Sequence, residues 1–420
     1  MPAGATDLIV AEAPVDRAQI QELSRNVVRW VVLGALSGVV AGTVSFVFLE
    51  GLDLVTRTRV ERPWLLWLLP VAGLMLGIFQ HHFGGRAVRG NGLLFAEILS
   101  PQEFLPRRMA PLVLVGTWIT HLFGGSAGRE GTALQMSGSL TDNAARWLGL
   151  GGHERARLLA VSVAAWFGSV FGVPLAGTVF ALEVHPRRRA GLKEFATTAA
   201  PMVLPALCAA LVGHLVVTLL GHEHTARPEL DEALSSGLAV RLAAVGVACG
   251  VAAWVFKHLT EAIRDVMTER IAWSPLRPAL GGASVVGLAL IFGNDYLGLS
   301  LPLLDNAIAG NRPGLSVFAL KLLFTAVTVG SGFPGGEVTP LFVIGGTLGA
   351  ALAVPLGVPV VLCAGVGLAA VFAGASRAPL ACAVMAAELF GRGAFGPAAI
   401  ACAAAFATGG RRGLYAVVED

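Results

Sequence analysis

Two glutamates stand in glycine-rich breaks between apolar runs, and the chemistry this chain could perform starts there. Glu130 lies in Gly124-Gly-Ser-Ala-Gly-Arg-Glu-Gly131, preceded by the apolar run Pro111–Phe123 and followed by another from Ala133. Glu337 lies in Gly330-Ser-Gly-Phe-Pro-Gly-Gly-Glu-Val-Thr-Pro340. Glycine-rich backbone at such points predicts broken or just-starting helices whose free N–H groups face the gap. Thr339-Pro340 predicts a helix start, with threonine capping and proline at the first helical position. Half-helix N-termini that converge near a membrane midplane make a positively polarised pocket, which binds an anion without a full cationic side chain. Lys and Arg are scarce in these segments. Arg129 and Lys321 are near, and neither is needed to reach the ion.

The elements that position these residues belong in lipid. The chain has 420 residues, 55% of them hydrophobic and 14% charged, with a mean hydropathy of +0.72. A soluble domain carries about 25% charged residues, so the expected class is an integral membrane protein. Val28–Phe48, Trp64–Phe83, Phe195–Leu220, Ala239–Val255 and Val358–Phe372 reach or approach the ~20 apolar residues that cross a bilayer. Other apolar runs are shorter and interrupted by Gly or Pro. They predict tilted, partial or re-entrant helices, which persist only when buried in protein or lining a cavity. The runs are continuous rather than alternating, which argues against a β-barrel. A carboxylate in such a setting is costly and marks a functional site by default.

Charge and cysteine usage narrow the class further. A net charge of +3 is too small to indicate nucleic acid. Arg187–Arg189 with Lys193, Arg107/Arg108 and Arg411/Arg412 are the basic clusters, placed on cytoplasmic loops by the positive-inside rule. Cys208, Cys249, Cys363, Cys382 and Cys402 are scattered through apolar segments and read as small hydrophobes. His81, His82 and His121 form no HExxH pattern, so no metal is expected. No cofactor or nucleotide site is visible. An intramembrane enzyme would need a nucleophile/base pair or a metal site, and none stands at useful spacing.

The chain divides near its middle. Residues 1–25 read as a cytoplasmic, partly helical tail without the layout of a cleavable signal peptide. A first transmembrane repeat is expected over 26–221, a linker over 222–237, a second repeat over 238–415, and a short tail over 416–420, with no regulatory domain after Tyr415. Pro174-Leu-Ala-Gly-Thr-Val-Phe-Ala-Leu-Glu183 matches Pro379-Leu-Ala-Cys-Ala-Val-Met-Ala-Ala-Glu388 at a constant offset of 205 (379 − 174 and 388 − 183). Val161, Ala164, Ala165 and Phe167 match Val366, Ala369, Ala370 and Phe372 at the same offset, and Thr132–Gly138 faces Thr339–Gly345 at 207. Membrane repeats of this kind form transporters whose binding site lies at the repeat interface, marked by broken segments in corresponding positions. Glu97, Glu183 and Glu388 read as structural acids.

The motif set resembles the CLC anion transporters. Gly128-Arg-Glu-Gly131 is similar to the family motif whose glutamate is the external gate, Gly172-Val-Pro-Leu-Ala-Gly177 to the segment that follows it, and Gly413-Leu-Tyr415 to the segment that supplies the family's central tyrosine. The resemblance runs from about Val28 to Tyr415. It implies an all-α, polytopic membrane protein of the CLC fold, with two inverted-topology repeats and broken or re-entrant helices. It also implies a homodimer, with Phe195–Leu220 and Phe395–Ala407 at the interface. Three departures point to one subfamily. Gly90-Asn-Gly-Leu-Leu94 puts Asn91 where chloride-type members carry an ion-coordinating serine. Gly336-Glu-Val-Thr-Pro340 introduces Glu337, and Val184 stands where an internal proton glutamate follows Glu183. These features resemble the fluoride-exporting CLC subfamily and imply a fluoride/proton antiporter in a bacterial inner membrane. A chloride/proton antiporter and a passive anion channel of the same fold remain alternatives.

Elementary chemistry fits that implication. Fluoride is small and strongly hydrated, so its site must offer close donors. The candidates are the Asn91 amide, the Thr339 and Tyr415 hydroxyls, and backbone N–H groups around Gly128, Gly131 and Val338. The positive ring edges of Phe95 and Phe333 would add to these. Glu130, when ionised, can itself occupy an anion site. Protonation releases it and couples the two ions, with Glu337 as a second proton stop.

Overall fold

The computed structural model describes residues 17–184 and 192–415; the Arg187–Arg189 cluster and the residues beyond Tyr415 lie outside them. Among the described residues the regular structure is helical, with one isolated β-bridge. Helix α1 (Arg17–Glu61) leads through a 3-10 turn to α2 (Leu69–Phe83), and a second 3-10 turn leads to the short α3 (Asn91–Leu99). Then follow α4 (Met109–Leu122), α5 (Glu130–Trp147), α6 (Gly152–Phe171), α7 (Pro174–Glu183) and α8 (Leu192–Leu219). The second half holds α9 (Ser236–Arg270), α10 (Leu276–Phe292), α11 (Leu301–Ile308), α12 (Leu315–Gly330), α13 (Val338–Leu356), α14 (Val360–Ser376), α15 (Pro379–Phe390) and α16 (Phe395–Thr408). Among the described residues, five stretches are long and apolar enough to cross a membrane: Ser24–Glu61, Pro63–Phe83, Ala200–Leu219, Ser236–Arg270 and Val338–Leu356.

Local chemistry explains the breaks. Gly172 ends α6 with φ 70°, and Pro174 opens α7 where its missing N–H is no loss. The second half repeats this with an arginine. Arg377 ends α14 at φ 65° before Pro379, and its guanidinium reaches Phe406 O and lies 3.5 Å over the Phe406 ring.

Two reciprocal contacts show that the halves are inverted. The Glu183 carboxylate, at the end of α7, accepts from Leu380 N (3.2 Å) and Ala381 N (2.8 Å) at the start of α15. Glu388, near the end of α15, accepts from Leu175 N (2.9 Å) and Ala176 N (2.7 Å) at the start of α7. Each carboxylate therefore covers the N-terminal donors of the other helix, and the pair runs antiparallel. The repeat mates Phe167 and Phe372 face each other with ring centroids 6.4 Å apart.

The structure differs from the sequence reading in two places. Helix α9 continues to Arg270, fifteen residues beyond the apolar run Ala239–Val255. Its Lys257 ammonium is buried and donates to Gly409 O and Arg412 O, both at 2.6 Å, so the charge does not end the helix. Secondly, Val358–Phe372 falls mostly in the shorter α14, whereas the long, enclosed apolar helix is α13.

Candidate functional site

Gly128 and Gly336 bring the two broken segments together. Gly128 N donates to Gly336 O at 2.6 Å and Gly336 N to Gly128 O at 2.8 Å. A Cβ on Gly128 would stand 2.9 Å from Gly336 O, and one on Gly336 only 2.6 Å from Gly131 N, so both positions require glycine. The bridge aims the first turns of α5 and α13 at one point. Free N–H groups and the positive ends of both helices converge there.

Glu130 is the first residue of α5, and it is 1% exposed. Its carboxylate reaches across to α13, where Oε2 accepts from Thr339 N at 2.9 Å and Oε1 from the Thr339 hydroxyl. Arg129 N donates to Oε2 at 3.2 Å, and Arg129 Nε lies 3.4 Å from Oε1. Charge-assisted bonds of this kind are about twice as strong as neutral ones. The carboxylate thus sits on a helix N-terminus, the place such a geometry offers an anion. This overturns the expected capping role of Thr339. The N-cap of α13 is Glu337, the helix begins at Val338, and the Thr339 hydroxyl serves Glu130 instead of its own helix.

Asn91 opens α3 after Gly90, whose φ is 56°. A Cβ on Gly131 would stand 3.0 Å from Asn91 Nδ2, so α3 meets the first turn of α5. The Asn91 Oδ1 is buried without a hydrogen-bond partner. Tyr415 is 7% exposed, with its ring 4.8 Å from Phe95 and 5.8 Å from Phe180. Phe333 lies elsewhere, in a separate apolar cluster with Leu76, Tyr296 and Phe324, so the two phenylalanines are not brought together. Glu337 is half-buried and makes no side-chain cap bond; its backbone oxygen accepts from Leu341 N at 3.0 Å.

Three groups that sequence reasoning underrated support the site. Lys321, fully buried in α12, donates to Ser126 Oγ (2.9 Å), Gly298 O (2.7 Å), Ser300 Oγ (2.9 Å) and Tyr296 O (3.3 Å). It pins the Gly124–Gly131 segment from behind. A lone lysine inside the apolar run Leu315–Val329 was the signal. His121 places Nδ1 2.9 Å from Thr117 O and Nε2 3.1 Å from Ala127 O, holding the same segment to α4. Arg155 ties three elements together. It donates to Asp142 of α5 (2.6 and 3.0 Å), Glu97 of α3 (3.1 Å) and Glu103 O (2.8 Å). Glu97 also accepts from Gln102 N at 2.9 Å and Arg86 at 3.0 Å. The helices that start at Asn91 and Glu130 are thereby locked to each other at their far ends. No group of three His, Cys, Asp or Glu residues suited to a metal occurs among the described residues.

Known proteins are similar to this chain in sequence and fold. The family model described as voltage gated chloride channel matches residues 72–410. A chloride/fluoride channel protein of Pseudomonas syringae pv. tomato is 38% identical over 408 residues, 95% of this chain and 88% of that protein. The H(+)/Cl(-) exchange transporter ClcA of Cronobacter sakazakii is 27% identical over 347 residues, 76% of this chain and 72% of its own length. Among solved structures, a CLC-type fluoride/proton antiporter superposes with a TM-score of 0.84 at 30% identity, covering 94% of this chain and 97% of that one.

Proposed function

We propose, on the premise that this chain belongs to the voltage-gated chloride channel (CLC) family, that it exports fluoride in exchange for protons. At the coarser level it is a multi-pass membrane protein, a CLC-type chloride/fluoride channel or antiporter. The finer reading rests on one observation above others: the Glu130 carboxylate is bonded to Thr339 at the N-terminus of α13. An ionised Glu130 competes with the anion for those donors. Taking up a proton removes its charge, weakens its hold, and opens the place to a halide. Losing the proton restores the competitor. One residue then couples opposite flows of anion and proton.

Fluoride is favoured over chloride by donor chemistry and by likeness. Asn91 stands beside Gly131, and Thr339 and Tyr415 carry hydroxyls. Such donors approach a small ion more closely than a large one. The fluoride/proton antiporter structure and the Pseudomonas protein support the same reading. Glu337, one residue before α13, serves as the second proton stop that Val184 cannot provide. The protein works as a homodimer in a bacterial inner membrane, with the Arg107/Arg108 and Arg411/Arg412 ends facing the cytoplasm.

The test is efflux from proteoliposomes with fluoride, chloride and pH probes. Fluoride is expected to leave much faster than chloride, and an imposed proton gradient to drive it uphill. Glu130→Gln is expected to abolish proton coupling and slow fluoride turnover. Chloride leaving as fast as fluoride would refute the selectivity. Coupled transport unchanged in Glu130→Gln would remove that residue from its role. The Pseudomonas relative is described as a channel, so passive flow is the second reading. A proton gradient without effect on fluoride would establish it.

A further inference from the structure

Arg59, two residues before the end of α1, lies partly buried against the segment that leads to Glu130, with no hydrogen-bond or ion-pair partner among the described residues. A Cβ on Gly124 would stand 3.6 Å from Arg59 Cδ, and one on Gly298 would stand 3.8 Å from Arg59 Nη2 and 4.0 Å from His121 Cδ2. The aliphatic stem therefore lies over Gly124 and the guanidinium against Gly298, two glycines with φ of 91° and 61°. Its Nε is buried without a hydrogen-bond partner. The same is true of Thr56 Oγ1, one helical turn earlier and on the same face of α1. No described residue forms a hydrogen bond or ion pair with Arg59, including Asp53 and Glu61 on its own helix.

The surroundings add positive charge, and no described carboxylate forms an ion pair with Arg59. Lys321 shares the Gly298 neighbourhood, and its ammonium is held only by neutral oxygens of Ser126, Tyr296, Gly298 and Ser300. His121 has both ring nitrogens engaged with backbone carbonyls and offers only a C–H edge. Burying a cation without a counter-charge is strongly unfavourable, and removing one partner of a buried pair shows how large that cost is. A partly buried guanidinium close to the fully buried Lys321 ammonium, with Arg59 Nε and Thr56 Oγ1 buried and unpartnered, offers donors and a positive field to an anion that comes and goes.

We propose that Arg59 and Thr56 form a second anion site, a station where a small halide pauses on its way between the Glu130 position and the Arg59 end of the protein. This rests on the transport reading above for its direction, but not for its existence. Arg59 supplies N–H donors, Thr56 a hydroxyl donor, and Lys321 a fixed field that makes the station attractive. The site has no carboxylate competitor, so it needs no proton to empty. It accepts larger halides as well, because the guanidinium is a broad donor surface rather than a tight cage.

Crystals soaked in sodium bromide test it directly. A bromide anomalous peak beside the guanidinium is expected in the unaltered protein and absent in Arg59→Gln. In proteoliposomes, Arg59→Gln is expected to slow fluoride efflux about tenfold at low fluoride, the lower end of what a focused cationic cleft adds to anion capture. The number of fluorides moved per proton should stay unchanged, and high potassium gluconate should narrow the gap between variant and parent. Arg59→Lys should keep most of the rate. Should Arg59→Gln not fold, Arg59→Lys and Thr56→Val are compared instead, with Thr56→Val the slower. No bromide peak, or a folded Arg59→Gln with unaltered efflux, overturns the proposal. Wild-type protein that shows the peak but no proton coupling sinks the antiport reading and leaves the site standing.

Discussion

At the scale of single residues, donors decide which ion is held. Asn91 lies against the start of α5 with half of its amide unpartnered. The unpartnered half is the acceptor Oδ1, so the Nδ2 group beside Gly131 is the donor that an anion at the converging helix ends can use. Asn91→Ser draws the donor back toward the backbone by about one bond length, enough to break a hydrogen bond to an ion held at the same place. One neutral hydrogen bond is worth about 0.5–1.5 kcal/mol, and about 1.4 kcal/mol is a factor of ten. The fluoride-to-chloride efflux ratio is therefore expected to fall up to about tenfold in Asn91→Ser. An unchanged ratio would mean that Asn91 serves only to begin α3. The glycine-flanked Glu130 and the Asn91 position were legible in the sequence because their motif is local. The Thr339 hydroxyl was misread because capping rules look within a few residues, whereas its partner stands 209 positions away. Lys321 and Arg59 were underrated for a related reason. A lone cation in a sequence does not reveal whether an acid will face it in the fold.

At the scale of elements, the site is made of helix ends held from behind. Arg155 joins α6 to Asp142 on α5 and Glu97 on α3, with all three side chains almost fully buried. Those are the helices whose opposite ends carry Glu130 and Asn91. Arg155→Met leaves the buried Asp142 without its cation and Glu97 with Arg86 as its remaining ion-pair partner. Breaking a buried pair this way costs about 3–5 kcal/mol. A clear drop in melting temperature is expected in detergent, and the loop 100–108 should become protease-sensitive, since Arg155 also holds Glu103 O. Unaltered melting would show that the acids find other partners. Helix limits were legible where Gly or Pro ended an apolar run, as at Gly172-Val-Pro174. They were not legible where a polar residue was absorbed by the fold, as with Lys257, whose ammonium is satisfied by two carbonyls more than 150 residues on.

At the scale of the whole molecule, one operation explains most of the arrangement. The reciprocal carboxylate contacts relate α7 to α15 by a two-fold rotation, and the paired Gly128–Gly336 hydrogen bonds show the same two-way exchange between the broken segments. The repeat was visible in sequence through Pro174/Pro379 and Glu183/Glu388, while its inversion was not, because offset alone carries no direction. The same rotation has a consequence at the surface. Leu175 and Leu380, mates at the offset of 205 (380 − 175), are 52% and 53% exposed. Along α8, Leu204, Leu211 and Leu215 are 55%, 47% and 53% exposed at helical spacing. In the proposed homodimer this face of α8 is covered by the second copy. Glu130 is buried within a single subunit, held there by Thr339 with Asn91 beside its helix. Pairing should therefore matter for assembly and not for transport. Leu211→Trp combined with Leu215→Trp inserts bulk into the covered face and is expected to give monomers by single-molecule photobleaching in bilayers, since overpacking a tight contact costs about 1–3 kcal/mol per site. Fluoride efflux per subunit should remain at the parent rate. Monomers that fold but no longer carry fluoride would show that the partner completes the pathway, and a variant that stays dimeric would place the contact on another face.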